Sequence, residues 1–161
     1  MVGCEVGVWN GSMSIPLLRK FPSLHLVMID RYKEYDQKEP GNSLRKKTHE
    51  DMITTMAEVV HSTMFASDRR VMMVGDSALC LNSLSHNFLD FGFLDGGHGY
   101  ETVLNDAICC NLLIRSGGIM AGHDYDGRGD RSGLFGVKRA VDKFAKAHSY
   151  KVNIIPKHKI W

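Results

Sequence analysis

FGFLDGGHGYETVLNDA, residues 91–107, changes its periodicity in mid-course. An apolar, aromatic run that reads as a buried strand stops at Asp95, two glycines and His98 follow, and from Tyr100 onward the apolar residues recur at helical spacing. A strand that passes directly into a helix is half of a βαβ unit. In open α/β sheets ligands bind beyond the carboxyl ends of the strands, so an acid and an imidazole at this position are candidates for chemistry.

Outward from this segment the same alternation repeats. Short runs rich in Val, Ile, Met and Phe predict strands at Cys4–Val8, Leu24–Ile29, Arg70–Val74, Phe88–Leu94 and Gly118–Ala121. Helical patterns occupy about 12–20, 45–65, 79–85, 100–114 and 136–148. The pattern predicts a parallel sheet covered on both faces. The closing stretch YKVNIIPKHKIW, 150–161, predicts two short strands turning at Pro156 and Lys157. No repeat, low-complexity segment or linker interrupts the chain, and 161 residues with 43% hydrophobic and 24% charged side chains suit a single domain over 1–161.

Composition narrows the classes of partner. A formal net charge of +2, with no block of like charges, gives no reason to expect nucleic acid. Cys4, Cys80, Cys109 and Cys110 match neither a zinc spacing nor a secreted disulfide framework, so reduced thiols are expected. Neither a secretion signal nor an apolar stretch of membrane length is legible, and the expectation is a cytoplasmic protein with no membrane partner.

Three strand ends carry the binding motifs. The first runs into EVGVWNGSMS, where Glu5, Gly7, Trp9, Asn10, Gly11 and Ser12 form a glycine-bearing turn before a helix. Glycine there permits a tight turn and close approach to a ligand, but the spacing is neither that of a dinucleotide fingerprint nor that of a P-loop. The second strand ends at Asp30, about twenty residues on, where doubly wound folds place an acid for ribose hydroxyls. The third ends in Gly75, Asp76 and Ser77, which face the same crevice; Asp76 or Ser77 would equally serve to cap the next helix. Two polar stretches, 31–47 and 125–133, each follow a strand and are candidate lids. Their basic residues, among them Arg31, Lys38, Arg45, Arg128 and Arg131, suit an anionic substrate or a solvated loop.

Taken in order, Glu5-x-Gly7-x-x-x-Gly11, Asp30, GDS at 75–77, DGGHGYE at 95–101 and GGIMAGHDY at 117–125 resemble the class I S-adenosylmethionine-dependent methyltransferases. More narrowly they resemble the methyltransferase-24 family, which is related to macrocin-type O-methyltransferases. The resemblance implies a Rossmann-like, doubly wound α/β sheet of seven strands in the order 3-2-1-4-5-7-6, the last strand reversed, with the terminal runs as the final hairpin. It implies that Gly7 to Ser12 pack against the methionine part of S-adenosylmethionine, with Glu5, Trp9 and Arg31 nearby, that Asp30 holds the ribose, and that Gly75, Asp76 and Ser77 bracket the adenine. Asp95 and His98 are then the catalytic candidates, and Asp95, His123 and Asp124 the candidate ligands of Mg2+ or another divalent metal. His98 suits a general base because an imidazole titrates near neutrality.

The implied reaction is methyl transfer to a hydroxyl oxygen of a small molecule or sugar. His123 stands where the macrocin-type enzymes carry an aspartate and Gly97 where they carry a further acid, which weakens the metal assignment. Two other readings stand beside this one: a module that binds S-adenosylmethionine without turnover, and a nicotinamide-dependent oxidoreductase, which the missing dinucleotide fingerprint disfavours. Relatives usually carry helices ahead of the first strand, whereas here that strand begins almost at Met1. The 31–47 loop or a second subunit of a homo-oligomer is therefore expected to close the site.

Overall fold

The computed structural model describes residues 1–34, 47–126 and 136–161. Five strands, β1 (Val2–Val6), β2 (His25–Asp30), β3 (Arg70–Val74), β4 (Leu89–Leu94) and β5 (Ile114–Gly122), form one parallel sheet in the order β3-β2-β1-β4-β5. The helices are α1 (Ser14–Lys20), α2 (His49–Ser62), α3 (Ser77–Asn82), α4 (Tyr100–Leu113) and α5 (Val137–His148).

Alternating side chains of the strands feed two cores. Leu26 and Met28 join Leu18 and Val59 of α1 and α2 on one face, while Cys4, Val6, Val27 and Ile29 meet Leu81, Ala107, Cys110, Leu113 and Phe144 of α3, α4 and α5 on the other. Such period-2 division is what a sheet covered on both faces requires. α5 buries Val137, Ala140, Val141, Phe144 and Ala145, one continuous apolar stripe. α2 starts in a capping box in which Thr48 and Asp51 satisfy each other's backbone N–H groups. At the C-terminal end of α1 a side chain does the corresponding work: the Arg69 guanidinium donates to the carbonyls of Leu18, Phe21 and Leu24.

The expected seven strands in the order 3-2-1-4-5-7-6 are corrected to five, in the order β3-β2-β1-β4-β5, among the described residues. The closing stretch has one antiparallel bridge, Ile155 to Ile160, around a 3-10 turn at Pro156–His158. Proline at the start of that turn and left-handed Lys159 at its end leave too few consecutive extended residues for a ladder. The reversed direction survives where Gly122 and Trp161 exchange N–H···O bonds of 3.2 and 3.1 Å. β5 is also longer than expected. It starts at Ile114, directly after α4, and slips register against β4 between the pairs Leu89–Ile114 and Phe91–Ile119, which is a bulge the glycine-rich sequence accommodates. β1 stops at Val6 and α1 starts at Ser14, because the backbone between them turns through left-handed Trp9 and Gly11.

Gly7 is the position on which the sheet's upper edge depends. Its φ is +90°, and a Cβ there would lie 2.1 Å from the carbonyl oxygen of Asp95. Gly7→Ala should therefore destabilise the protein by at least about 2 kcal/mol, combining the left-handed penalty with a backbone collision. Urea unfolding checks this, and an unchanged midpoint would contradict it.

Candidate active site

The site is built from the carboxyl ends of all five strands. After β1 the chain turns sharply, with Trp9 at φ 46° and Gly11 donating to the Val8 carbonyl at 2.8 Å. Bulky residues seldom adopt that backbone region, so something must hold Trp9 there. Asp30 at the end of β2 does so: one carboxylate oxygen accepts from the Trp9 N–H at 2.7 Å and the other from the Tyr32 N–H at 2.9 Å. The Tyr32 hydroxyl completes the clamp by donating to the Trp9 carbonyl at 3.0 Å. Tyr32, itself at φ 40°, is buried, and burial raises its phenol above the usual range. The Trp9 side chain stays 39% exposed. Within the turn the Asn10 side-chain oxygen accepts from the Ser12 N–H, and Arg31 lies exposed beside Asp30.

Beneath the turn, Glu5 is a buried acid whose partner is the Ser14 hydroxyl, which donates to it. Burial pushes its carboxyl up to about 8, against the opposing pull of that hydrogen bond. At the end of β3 the Gly75 N–H donates to the Asp30 carbonyl, Asp76 caps α3 by accepting from the Leu79 N–H at 3.2 Å, and the Ser77 hydroxyl donates to Asp106 of α4 at 2.6 Å. Asp106 is buried and its carboxyl is raised to about 6. The structure thus gives Asp76 and Ser77 local structural partners, and leaves one Asp76 oxygen outside the cap.

The ends of β4 and β5 bring the chemistry together. His98 Nε2 lies 2.8 Å from Asp124 Oδ2, and His123 Nδ1 lies 3.4 Å from that same oxygen and 3.8 Å from Asp95 Oδ1. One donor atom from each of Asp95, His98 and Asp124 falls within 4.8 Å of the other two. His98, expected as the base, is therefore a member of the compact donor group, and His123, expected as a donor, stands at its margin. The two acids are driven apart: burial raises Asp95 to about 6, whereas the hydrogen bond from His98 lowers Asp124 to about 2. Asp124 sits at φ 60°, a third non-glycine residue in the left-handed region at this edge. His98 is fixed from behind, because its carbonyl accepts from the Gly136 N–H at 2.8 Å at the start of α5; a Cβ on Gly136 would strike the Tyr100 backbone at 2.5 Å. Tyr125, following Asp124, donates to Asp142 at 2.5 Å and so ties this loop to α5.

A glycine turn wrapped over an acid at the end of β2, facing an acid and imidazole cluster across a parallel sheet, is the arrangement of a class I methyltransferase. The chain belongs to the methyltransferase-24 family, described as a methyltransferase domain, whose profile matches residues 4–125. No curated protein matches the sequence. Among solved structures it is similar to the O-methyltransferase NovP, at 18% identity and a TM-score of 0.71 over 98% of this chain and 69% of that one. Precorrin-6y C5,15-methyltransferase from Geobacter metallireducens GS-15 superposes with a TM-score of 0.66 at 15% identity, covering 96% of this chain and 64% of that one. CalO1, a methyltransferase in calicheamicin biosynthesis with SAH bound, gives 0.50 at 18% identity over 77% and 30%. The chain therefore spans less than two thirds of the length of the precorrin enzyme, and at these identities the likeness is one of fold.

Four contributors escape a sequence reading: Tyr32, Ser14, Asp106 and Gly136. Each acts through a partner distant in the chain or through its backbone; the only local signal was the glycine before the last helix. The expected lids lie largely outside the described residues, including Lys38, Arg45, Arg128 and Arg131. No helix among the described residues is long and apolar enough to cross a membrane.

Buried Glu5 gives a pH signature. Because its folded value is about 8 against 4.5 for the free group, the folded state keeps a proton that the unfolded state releases, and stability falls as pH rises through that window. Glu5→Gln removes this term. The variant's unfolding free energy, from urea titrations at each pH, should exceed the parent's by a margin that grows from about pH 4.5 to pH 8, with a slope of up to about 1.4 kcal/mol per unit, and then levels off. A difference independent of pH would contradict the assignment.

Proposed function

We propose that this chain transfers a methyl group from S-adenosylmethionine to a hydroxyl oxygen of a small molecule or sugar, with Asp95, His98 and Asp124 as the reacting cluster. The observation that carries this reading is the packing of Gly7 against the backbone of Asp95, which sets the glycine turn beside the acid and imidazole cluster. The family supports methyl transfer, and the SAH held by CalO1 is in keeping with the same cofactor here.

The residues present fit that cofactor. The glycine turn offers backbone to a methionine tail, each Asp30 oxygen accepts one backbone N–H and retains a lone pair for a ribose hydroxyl, and the Asp76 oxygen outside the cap suits an exocyclic amine. S-adenosylmethionine supplies an electrophilic methyl on a sulfonium, so the protein's task is to place an acceptor oxygen about 3 Å from that carbon and to remove its proton.

His98 is arranged for the second task. His98 Nε2 faces Asp124, whose carboxyl that hydrogen bond lowers to about 2, so that Asp124 stabilises the imidazolium that forms. When bound, the sulfonium would supply its methyl to the acceptor oxygen and depart as the neutral thioether, and His98 would take the hydroxyl proton. Asp95 orients the hydroxyl from the β4 side. Two carboxylates and an imidazole within 4.8 Å also suit a divalent cation, magnesium or manganese by their oxygens and a transition metal by the histidine, which would polarise the acceptor hydroxyl and lower its pKa.

Formation of S-adenosylhomocysteine across a panel of hydroxylated acceptors, with and without chelator, tests this reading. Acceptor-dependent product is expected, falling at least about 100-fold in Asp95→Asn while the affinity for S-adenosylmethionine changes less than threefold. Loss on chelation with recovery on added magnesium or manganese would support the cation. Equal turnover by Asp95→Asn would overturn the assignment.

A further inference from the structure

Beside the cluster, on the side of the C-terminal turn, His123, Lys157, His158, Lys159 and Ile160 line an open depression of about 350 Å3. Four of the five lining residues are basic. We propose that this depression is the acceptor's recognition site for an anionic group, a carboxylate or a phosphate, and that it rests on the methyl-transfer reading of the neighbouring Asp95, His98 and Asp124.

The turn that presents these side chains is fixed, which separates it from a solvated basic tail. Gly122 and Trp161 exchange two backbone hydrogen bonds, the Tyr125 N–H donates to the Lys159 carbonyl at 3.0 Å, and Ile155 bridges to Ile160. The Trp161 ring packs against Gly122, leaving no room for a side chain there. Lys159 sits in the left-handed region and its ammonium pairs with Asp126 at 3.0 Å, so that it braces the turn against the loop following Asp124. Lys157 and His158 are exposed, and among the described residues neither has an ion-pair partner.

Charge and position select the ligand. Lys157 and Lys159 outnumber Asp126, and the two imidazoles add N–H donors. His123 belongs to both places: it lines the depression and lies within 3.4 Å of Asp124. An acceptor whose acidic group rests on Lys157 and His158 therefore lies against His123 with the rest of its body toward Asp95 and His98. Opposite charges across a short molecule also exclude a reversed pose, since the anion would otherwise meet Asp124.

The test is a titration followed through the histidine ring resonances of labelled protein, at constant ionic strength, first with inorganic phosphate and separately with acetate. Saturable shifts of His123 and His158 are expected, with an affinity at least tenfold weaker in Lys157→Glu, an exposed turn position whose exchange leaves the core intact. Saturation by phosphate alone identifies a phosphorylated acceptor, and saturation by acetate a carboxylate. Linear drifts of equal size in the parent and Lys157→Glu would overturn the proposal. S-adenosylmethionine titrated into the same samples separates the two claims: binding without anion saturation sinks only the recognition site, whereas anion saturation without cofactor binding sinks the methyl-transfer reading and leaves an anion site of another kind.

Discussion

The contact between Gly7 and the backbone of Asp95 holds the rest of the site in place. β1 and β4 are neighbours in the middle of the sheet, and the Asp95 N–H donates to the Val6 carbonyl at 2.8 Å, extending their pairing to the last residue before both chains turn. Any side chain at position 7 would push these ends apart. With glycine there, the turn that faces a cofactor and the acid that faces an acceptor share one backbone junction. Distance between donor and acceptor is what methyl transfer demands of a protein, and here it is set by main chain.

Around this junction the molecule concentrates cost. Trp9, Tyr32 and Asp124 all adopt left-handed backbone, and Glu5, Asp106 and Asp95 all carry carboxyls raised by burial. Each such feature is unfavourable alone and is held by specific partners: Asp30 and the Tyr32 hydroxyl for Trp9, the Ser14 hydroxyl for Glu5, the Ser77 hydroxyl for Asp106 and His98 for Asp124. Strain and buried ionisable groups clustered at one sheet edge are characteristic of functional sites rather than of scaffold. Among the described residues the opposite edge shows no comparable set. There Asp90 simply accepts from the Val2 N–H and from Arg115, an ordinary tie between strand ends.

The parallel sheet and its two helical layers were legible because period-2 apolar runs and period-3.6 segments alternate so regularly, and β3 and α4 fall almost where the pattern places them. That Asp95 and His98 meet His123 and Asp124 followed from the strand order the family resemblance implies, though not which three of them form the compact group. What the pattern could not convey was the use made of each group. Asp30 reads as a ribose acid, and its oxygens also hold two backbone N–H groups; Asp76 caps α3, one of the two uses its position suggested. The terminal run looked like two strands, since KVNII and HKIW have strand composition, but Pro156 and left-handed Lys159 allow only a bridge. Tyr32 gave no signal because its role is a hydroxyl reaching across 23 residues, and Gly136 showed only as a glycine before a helix, not as the backbone N–H that reaches His98.

The central claim is that the turn from Gly7 to Ser12, held over Asp30, receives S-adenosylmethionine. Calorimetric titration of S-adenosylmethionine into purified, chelator-treated protein tests it most directly, because it needs neither an acceptor nor a metal. The account predicts saturable binding at one site, displaced by S-adenosylhomocysteine. Absence of heat at all temperatures tried, together with no displacement of a labelled cofactor by S-adenosylhomocysteine, would contradict it.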